Sequence, residues 1–249
     1  MSKELLKFEN IYKSYGKVEV LKNINLSLYE NETLGLLGDN GAGKSTLIKC
    51  LSGLEEIDKG NIFINEKKIN PKKYNIKKAR THGLETVYQD SSLAKEQEIY
   101  KNIFLGRELI NFFGFVNIKK EKAISLNLLK NFLGLRGSGV LADSKVSTLS
   151  GGERQGLAIA RAVHFNSKII ILDEPTTALG IKEVKKVLDF IQALKEHKKS
   201  SIFITHNLAH AYELSTRFLI IDRGEVKKNI LKKDISLQGL QNILLEVAK

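Results

Sequence analysis

Gly38, Gly43, Lys44 and Ser45 stand in the order G-x-x-x-x-G-K-S, with Asp39, Asn40, Gly41 and Ala42 between them. Glycines let a backbone turn closely round an anion, and successive N–H groups then point inward as a nest. The apolar residues 34–37 read as a strand, and Ser45 to Ser52, Thr46 included, read as a helix that Gly53 stops and whose positive dipole end adds to the nest. Lys44 would reach the β- and γ-phosphates of a nucleotide, and the Ser45 hydroxyl would ligate Mg²⁺. The rival reading, a glycine turn that merely joins strand to helix, leaves the Lys-Ser pair at the helix start unaccounted for.

A second group lies far downstream. Residues 168–172 are a nearly continuous apolar run closed by Asp173 and Glu174, as expected of a strand buried on both faces. Asp173 would hold Mg²⁺ directly or through water, and Glu174 would orient, or take a proton from, the water that attacks the γ-phosphate. The plainer alternative is a pair of carboxylates capping the next turn. Ser150, Gly151, Gly152 and Glu153 precede a helix expected over 153–163, which makes another helix-N-terminal anion site. One nucleotide does not simply explain two phosphate-binding surfaces on one chain.

The elements that must position these residues follow from periodicity. Residues 6–11 and 23–28 alternate apolar and polar, the period of half-buried strands. Tyr15 lies between them, where its ring either stacks on an adenine or sits half-exposed on a turn. Short strands are expected at 60–64 and at 84–88, the latter ending at Gln89, with a polar lysine-rich stretch between them. Residues 90–165 turn mainly helical, with one helix over 123–133. Parallel-sheet character returns at 168–172 and at 201–205, which closes on His206, and a helix over 184–195 joins the two as a β-α-β unit. Residues 218–226 read as a hairpin, and 236–247 as an amphipathic helix. Together these give an α/β fold with a P-loop NTPase core of mainly parallel sheet, an N-terminal antiparallel β subdomain and an inserted helical lobe.

Composition narrows the classes. The 249 residues carry a formal charge of +12, 42% hydrophobic residues and one cysteine. Disorder is excluded by that apolar content, and an internal disulfide by the single Cys50, which suits a reducing compartment. No apolar core of a signal peptide follows the first residues, and no uncharged apolar run approaches the roughly 20 residues a bilayer span needs. The lysines are scattered in pairs such as Lys67-Lys68 and Lys119-Lys120 without interleaved aromatics. That argues for a solvated surface rather than a nucleic-acid groove, with acidic lipid headgroups as the anion such a surface suits.

Phosphate loop, the Leu149-Ser150-Gly151-Gly152-Glu153 segment and the acidic strand end, in this order along the chain, resemble the ATP-binding subunit of ABC transporters over essentially the whole chain. The resemblance implies one ATPase domain over 1–249, with 1–89 and 166–249 as nucleotide-binding core and 90–165 as helical subdomain bearing the signature. It implies that Tyr15 stacks on adenine, that Gln89 touches Mg²⁺ and water, and that His206 contacts the γ-phosphate. Two subunits would meet head to tail, each ATP sandwiched between one phosphate loop and the other subunit's signature, at the cytoplasmic face of the membrane. Transmembrane permease subunits and, indirectly, an external solute-binding protein would be the partners, with no nucleic acid.

Two residues depart from that family's pattern. Glu153 stands where glutamine is frequent, and Gly180 of Thr177-Ala178-Leu179-Gly180 stands where an aspartate usually helps couple the two sites. The stretch Pro175 to Gly180 followed by Lys182-Glu183, with Leu84-Glu85-Thr86-Val87-Tyr88-Gln89-Asp90 and Phe104-Leu105-Gly106-Arg107-Glu108, resembles the importers of ribose, fructose and related monosaccharides. Nucleoside or other small-solute import, and a weakly hydrolysing regulatory subunit, are the alternatives. A chromosome-type ATPase would need a long coiled coil between phosphate loop and signature, and the roughly 105 residues from Ser45 to Ser150 leave no room for one. A translation-linked relative would carry two such domains, and a GTPase would show Asn-Lys-x-Asp, which is absent. Residues 99–116 are expected to line part of a partner-helix groove, with Phe112, Phe113 and Phe115 either in the lobe core or in direct contact.

Overall fold

Alternation of apolar and polar residues near the start of the chain builds a long hairpin. In the computed structural model, which describes residues 3–89, 92–135 and 139–248, β1 (Glu4–Tyr15) and β2 (Val18–Tyr29) pair antiparallel. Both strands exceed the expected spans, so that residues 13–15 continue β1 instead of forming a turn. Asn10 and Asn23, each with φ of 52°, sit where the register shifts, since asparagine tolerates the left-handed region that a bulge needs. β4 (Lys59–Ile64) pairs with β1 and β5 (Lys67–Ile69) with β4, giving the sheet order β2-β1-β4-β5.

The second sheet contains β3 (Thr33–Leu37), β6 (Leu84–Val87), β7 (Ile169–Asp173), β8 (Ser200–Ile204), β9 (Arg217–Asp222) and β10 (Glu225–Leu231), in the order β10-β9-β3-β8-β7-β6. β9, β3, β8 and β7 run parallel to one another, and β10 returns antiparallel on β9. Every residue of β3 and β8 is buried, which is why these strands read as apolar runs rather than alternations.

The chain forms two compact units, one of Met1–Thr86, Asn166–Glu174 and Ile191–Lys249, the other of Val87–Phe165 and Pro175–Phe190. In the first unit, α1 (Lys44–Ser52) ends at Gly53, whose φ of 74° takes the left-handed cap position. Cys50 within α1 is buried, and burial pushes its thiol up to about 12, so it is an inert packing residue. Two short helices lie where only loops are expected: α2 (Ile76–Thr81), capped by the Asn75 side chain, and α7 (Leu208–Leu214), capped by Asn207. An amphipathic C-terminal helix, α8 (Leu237–Val247), seats Leu240 against Phe218 and Ile220.

The second unit is helical, with α3 (Ile99–Phe104), α4 (Ile118–Asn131), α5 (Gly151–His164) and the start of α6 (Ile181–Glu196). Its core gathers Ile103, Phe104, Leu129, Leu133 and Leu157. α4 starts five residues before the expected 123, because Asn117 accepts the Lys120 N–H and caps it there. Phe112, Phe113 and Phe115 are not part of the core; all three are exposed. Asp90, the expected first residue of the helical lobe, lies outside the described residues.

One buried ion pair ties the two sheets of the first unit together. Arg217 on β9 grips Glu32 with two bonds, Nε to Oε1 at 2.6 Å and Nη2 to Oε2 at 3.0 Å. Its remaining donors reach the Ser27 carbonyl and Asn229 Oδ1, and Glu32 also accepts the Tyr29 N–H. Replacing Arg217 by methionine strands the Glu32 charge among buried groups and should cost about 3–5 kcal/mol of folding stability. Urea denaturation checks this; a loss below about 1 kcal/mol would mean the pair behaves like a surface one.

Candidate nucleotide site

The first unit collects most of the predicted site at the end of the parallel strands. After β3 the chain turns through Gly38, Gly41 and Gly43, with φ of 152°, 81° and 104°. A Cβ on Gly38 would stand 2.1 Å from the Ile221 carbonyl oxygen of β9, so no larger residue fits there. Asp39, Asn40 and Gly41 form the exposed tip, while Ala42, Gly43 and Lys44 are buried. The Ala42 carbonyl accepts the Gly224 N–H from the β9–β10 turn, which holds the loop down. No side chain caps α1 and its first turn carries no acid, so the positive end of the helix is unopposed locally. Ser45 lies exposed and Thr46 half-buried in that turn.

Lys44 Nζ donates to the carbonyls of Gly38 at 2.6 Å and Asp39 at 2.8 Å. Burial pushes its pKa down, against the opposing charges of Glu174, Asp39 and Asp173. Asp173, last residue of β7, has its pKa raised by burial first and by Glu174 second, with Lys44 and His206 opposing. Glu174 holds a positive φ of 46° and its amide donates to the Ile204 carbonyl. Its carboxylate Oε1 lies 2.5 Å from His206 Nε2, just past the end of β8. Lys44, Asp173, Glu174 and His206 therefore form one electrostatic cluster beside the glycine loop. Tyr15 ends β1, 42% exposed, with Lys13 Nζ 5.4 Å from its ring centre. Lys13 pairs across the hairpin with Leu21, and Leu21 in turn is the neighbour that a Cβ on Gly43 would meet.

Within the second unit, Gln89 is exposed on a turn after β6. Ser150 is the N-cap of α5: its hydroxyl accepts the Glu153 N–H, and Glu153 Oε2 accepts the Ser150 N–H at 2.9 Å. Glu153 thus closes a capping box, a task that a glutamine performs equally well. Gly152 is required by packing, since a Cβ there would meet the Glu183 Cβ at 2.9 Å, whereas one on Gly151 would press on the movable end of Leu179 at 2.7 Å.

Glu183, which the sequence marks only as part of the stretch resembling sugar importers, is given a structural role by its bonds. Its carboxylate accepts the Gly152 N–H at 3.2 Å and the Gly180 N–H at 3.1 Å, which holds its pKa below the usual carboxylate range. A carboxylate three residues beyond Gly180 is thus bonded to the Gly180 backbone. An acid at the third position of a helix, here α6, was the only local signal.

Comparison with known proteins agrees with these features. A family model described as ABC transporter matches residues 21–177. The chain is 39% identical over 245 residues to a xylose/arabinose import ATP-binding protein of Sulfolobus acidocaldarius, covering 98% of this chain and 95% of that protein. It is 38% identical over 240 residues to a fructose import ATP-binding protein of Rhizobium meliloti, covering 94% and 90%. A ribose import ATP-binding protein of Caldanaerobacter subterraneus is longer: 36% identity extends over 88% of this chain but 43% of that protein. Among solved structures, a nucleotide-free ATP-binding cassette from an ABC transporter superposes with a TM-score of 0.80 over 99% of this chain and 98% of that one at 24% identity. A dimeric cassette in a post-hydrolysis state with ADP and Pi superposes with a TM-score of 0.75 at 26% identity, covering 92% and 99%. The glycine loop, the carboxylates closing β7 and the capped signature helix thus occur together in a chain that belongs to the ABC transporter family, as an ATP-binding subunit whose ATP hydrolysis is coupled to transport.

Proposed function

We propose that this subunit drives import of a monosaccharide, working as a head-to-tail pair against transmembrane permease subunits at the cytoplasmic face of the membrane, with an external binding protein delivering the solute. Sugar is supported by the xylose/arabinose and fructose importers that align over nearly their whole length. Pairing is supported by the dimeric cassette that shares the fold. The chain carries one phosphate loop and one Ser150-Gly151-Gly152 helix start, so two copies in antiparallel arrangement complete two sites. In this reading residues 1–89 and 166–249 form the nucleotide-binding core and 90–165 the helical subdomain of a single domain.

The observation that carries the catalytic reading is the cluster of Lys44, Asp173, Glu174 and His206. Backbone N–H groups from Gly38 to Ser45, with Thr46 behind them, cradle the phosphates, and Lys44 leaves its loop carbonyls for the β- and γ-phosphate oxygens. Tyr15 stacks on adenine. The donors of the first unit fit Mg²⁺: one hydroxyl (Ser45) and one carboxylate (Asp173) are the sparse oxygen set that this ion takes beside phosphate and water. Mg²⁺ supplies charge neutralisation at the phosphates. Glu174 orients the attacking water and accepts its proton, and His206, bonded to that carboxylate, holds it in place and faces the γ-phosphate. Ser150, Gly151 and Gly152, with Glu153 bracing the cap, offer a helix N-terminus to the nucleotide of the other subunit.

Glu174→Gln removes the proton acceptor while keeping size, so ATP turnover should fall about 10²–10⁴-fold with nucleotide binding and ATP-driven pairing retained; steady-state ATPase rates and size-exclusion with ATP read both. Turnover within a few-fold of the parent would reject Glu174 as the base. Asp173 gives a prediction of opposite sign for stability. Its folded pKa lies above the unfolded one, so its contribution is full below the unfolded pKa and is lost as pH rises through the folded value. At neutral pH Asp173→Asn therefore raises the melting temperature of the nucleotide-free protein while lowering Mg²⁺-dependent hydrolysis; a lowered melting temperature would show that the charged carboxylate is needed for folding.

A further inference from the structure

Residues 110–116 of the second unit form a small rigid tip. An Ile110–Val116 bridge closes it, the Asn111 N–H donates to the Phe115 carbonyl at 2.8 Å, and the Asn111 side chain accepts N–H bonds from Phe113 and Phe115, both at 3.0 Å. Gly114, with φ of 83°, donates to the Asn111 carbonyl. This ordered backbone displays Phe112, Phe113 and Phe115 at 98%, 80% and 71% exposure, and the first two rings lean edge-on against each other. A loop pinned in this way does not fold its aromatics back, so their apolar surface is held outward. On the upstream side Glu108 is exposed, its carboxylate accepting the Gly106 N–H at 3.0 Å, and the downstream side is basic. Lys119 and Lys120 stand exposed on the first turn of α4. The nearest downstream acid, Glu121, is turned inward and buried, its carboxylate accepting the Leu109 N–H at 2.8 Å.

We propose that the 110–116 tip inserts its phenylalanines into the interfacial layer of an anionic lipid bilayer, with Lys119 and Lys120 among the headgroups. An aromatic knob with exposed cations behind it has the two ingredients of interfacial binding, apolar insertion and attraction to acidic lipid. Phe112 projects almost free of its own chain, a convex shape that deformable lipid accommodates and a preformed protein groove must match ring for ring. The overall charge of +12 favours the same surface. Lipid contact of this kind stands apart from the transport reading above and needs no permease.

Flotation of the full chain with vesicles of phosphatidylglycerol and phosphatidylcholine, against phosphatidylcholine alone, tests it. The parent should float with the anionic vesicles and far less with the neutral ones, and high salt should weaken the binding. Phe112→Ala/Phe113→Ala/Phe115→Ala should lose at least about tenfold in partitioning, with circular dichroism and basal ATPase rate unchanged; Lys119→Gln/Lys120→Gln should weaken only the anionic binding. A parent that stays with neither vesicle, or a triple variant that floats like the parent, overturns the proposal. If the triple variant loses only co-purification with membrane subunits while flotation is absent throughout, the tip is a protein-docking surface and the lipid assignment fails.

Discussion

Parallel pairing of β3, β8 and β7 is the constraint on which the site depends. Leu36 lies opposite Ile204, and Ile204 opposite Asp173, so three strands stop at one edge of the sheet in register. The glycine loop, His206 and the Asp173-Glu174 pair each leave within two residues of those ends. Parallel strands require crossover connections, and those crossovers carry the chain away and back, so residues more than a hundred positions apart in sequence meet at one edge. A slip of one residue in the β7–β8 ladder would turn Asp173 to the other face of the sheet.

Charge burial at that edge explains why the cluster is built from opposites. Burial alone lowers the Lys44 pKa and raises that of Asp173, so each disfavours its own charged form until it faces the other. Glu174 adds backbone strain: a non-glycine residue at φ of 46° costs of order 1–3 kcal/mol. The Ile204 carbonyl accepts its N–H and the His206 ring meets its carboxylate, so the strained residue is held at both ends.

Helix N-termini are handled differently in the two units. α1 begins at a glycine with no side-chain cap and no acid in its first turn. α5 begins with a complete capping box, and a second carboxylate, Glu183, bonds the Gly152 N–H. The same dipole meets no acid in its first turn at one helix and two of the chain's own carboxylates at the other. Glu183 also bonds the Gly180 amide, so the turn before α6 and the start of α5 share one negative group.

How much of this was legible without coordinates follows from the range of each interaction. The glycine loop, the apolar strand ending in two acids and the capped signature helix depend on residue types within a few positions of one another, so their spacing announces them, and with them the parallel core. Caps by lone asparagines were missed at α2 and α7, because an Asn-x-x pattern is common in loops as well. The steric need for Gly38 is invisible locally, since the atom that forbids a side chain is the Ile221 carbonyl, far along the chain. Periodicity placed Phe112, Phe113 and Phe115 in an apolar stretch but left open which way they face; the hydrogen bonds of Asn111 turn them outward. The sequence by itself determined which chemistry the chain carries and in what order. Only the tertiary structure decided which of those groups share a surface, because strand register and close packing are set by contacts between segments that no local pattern encodes.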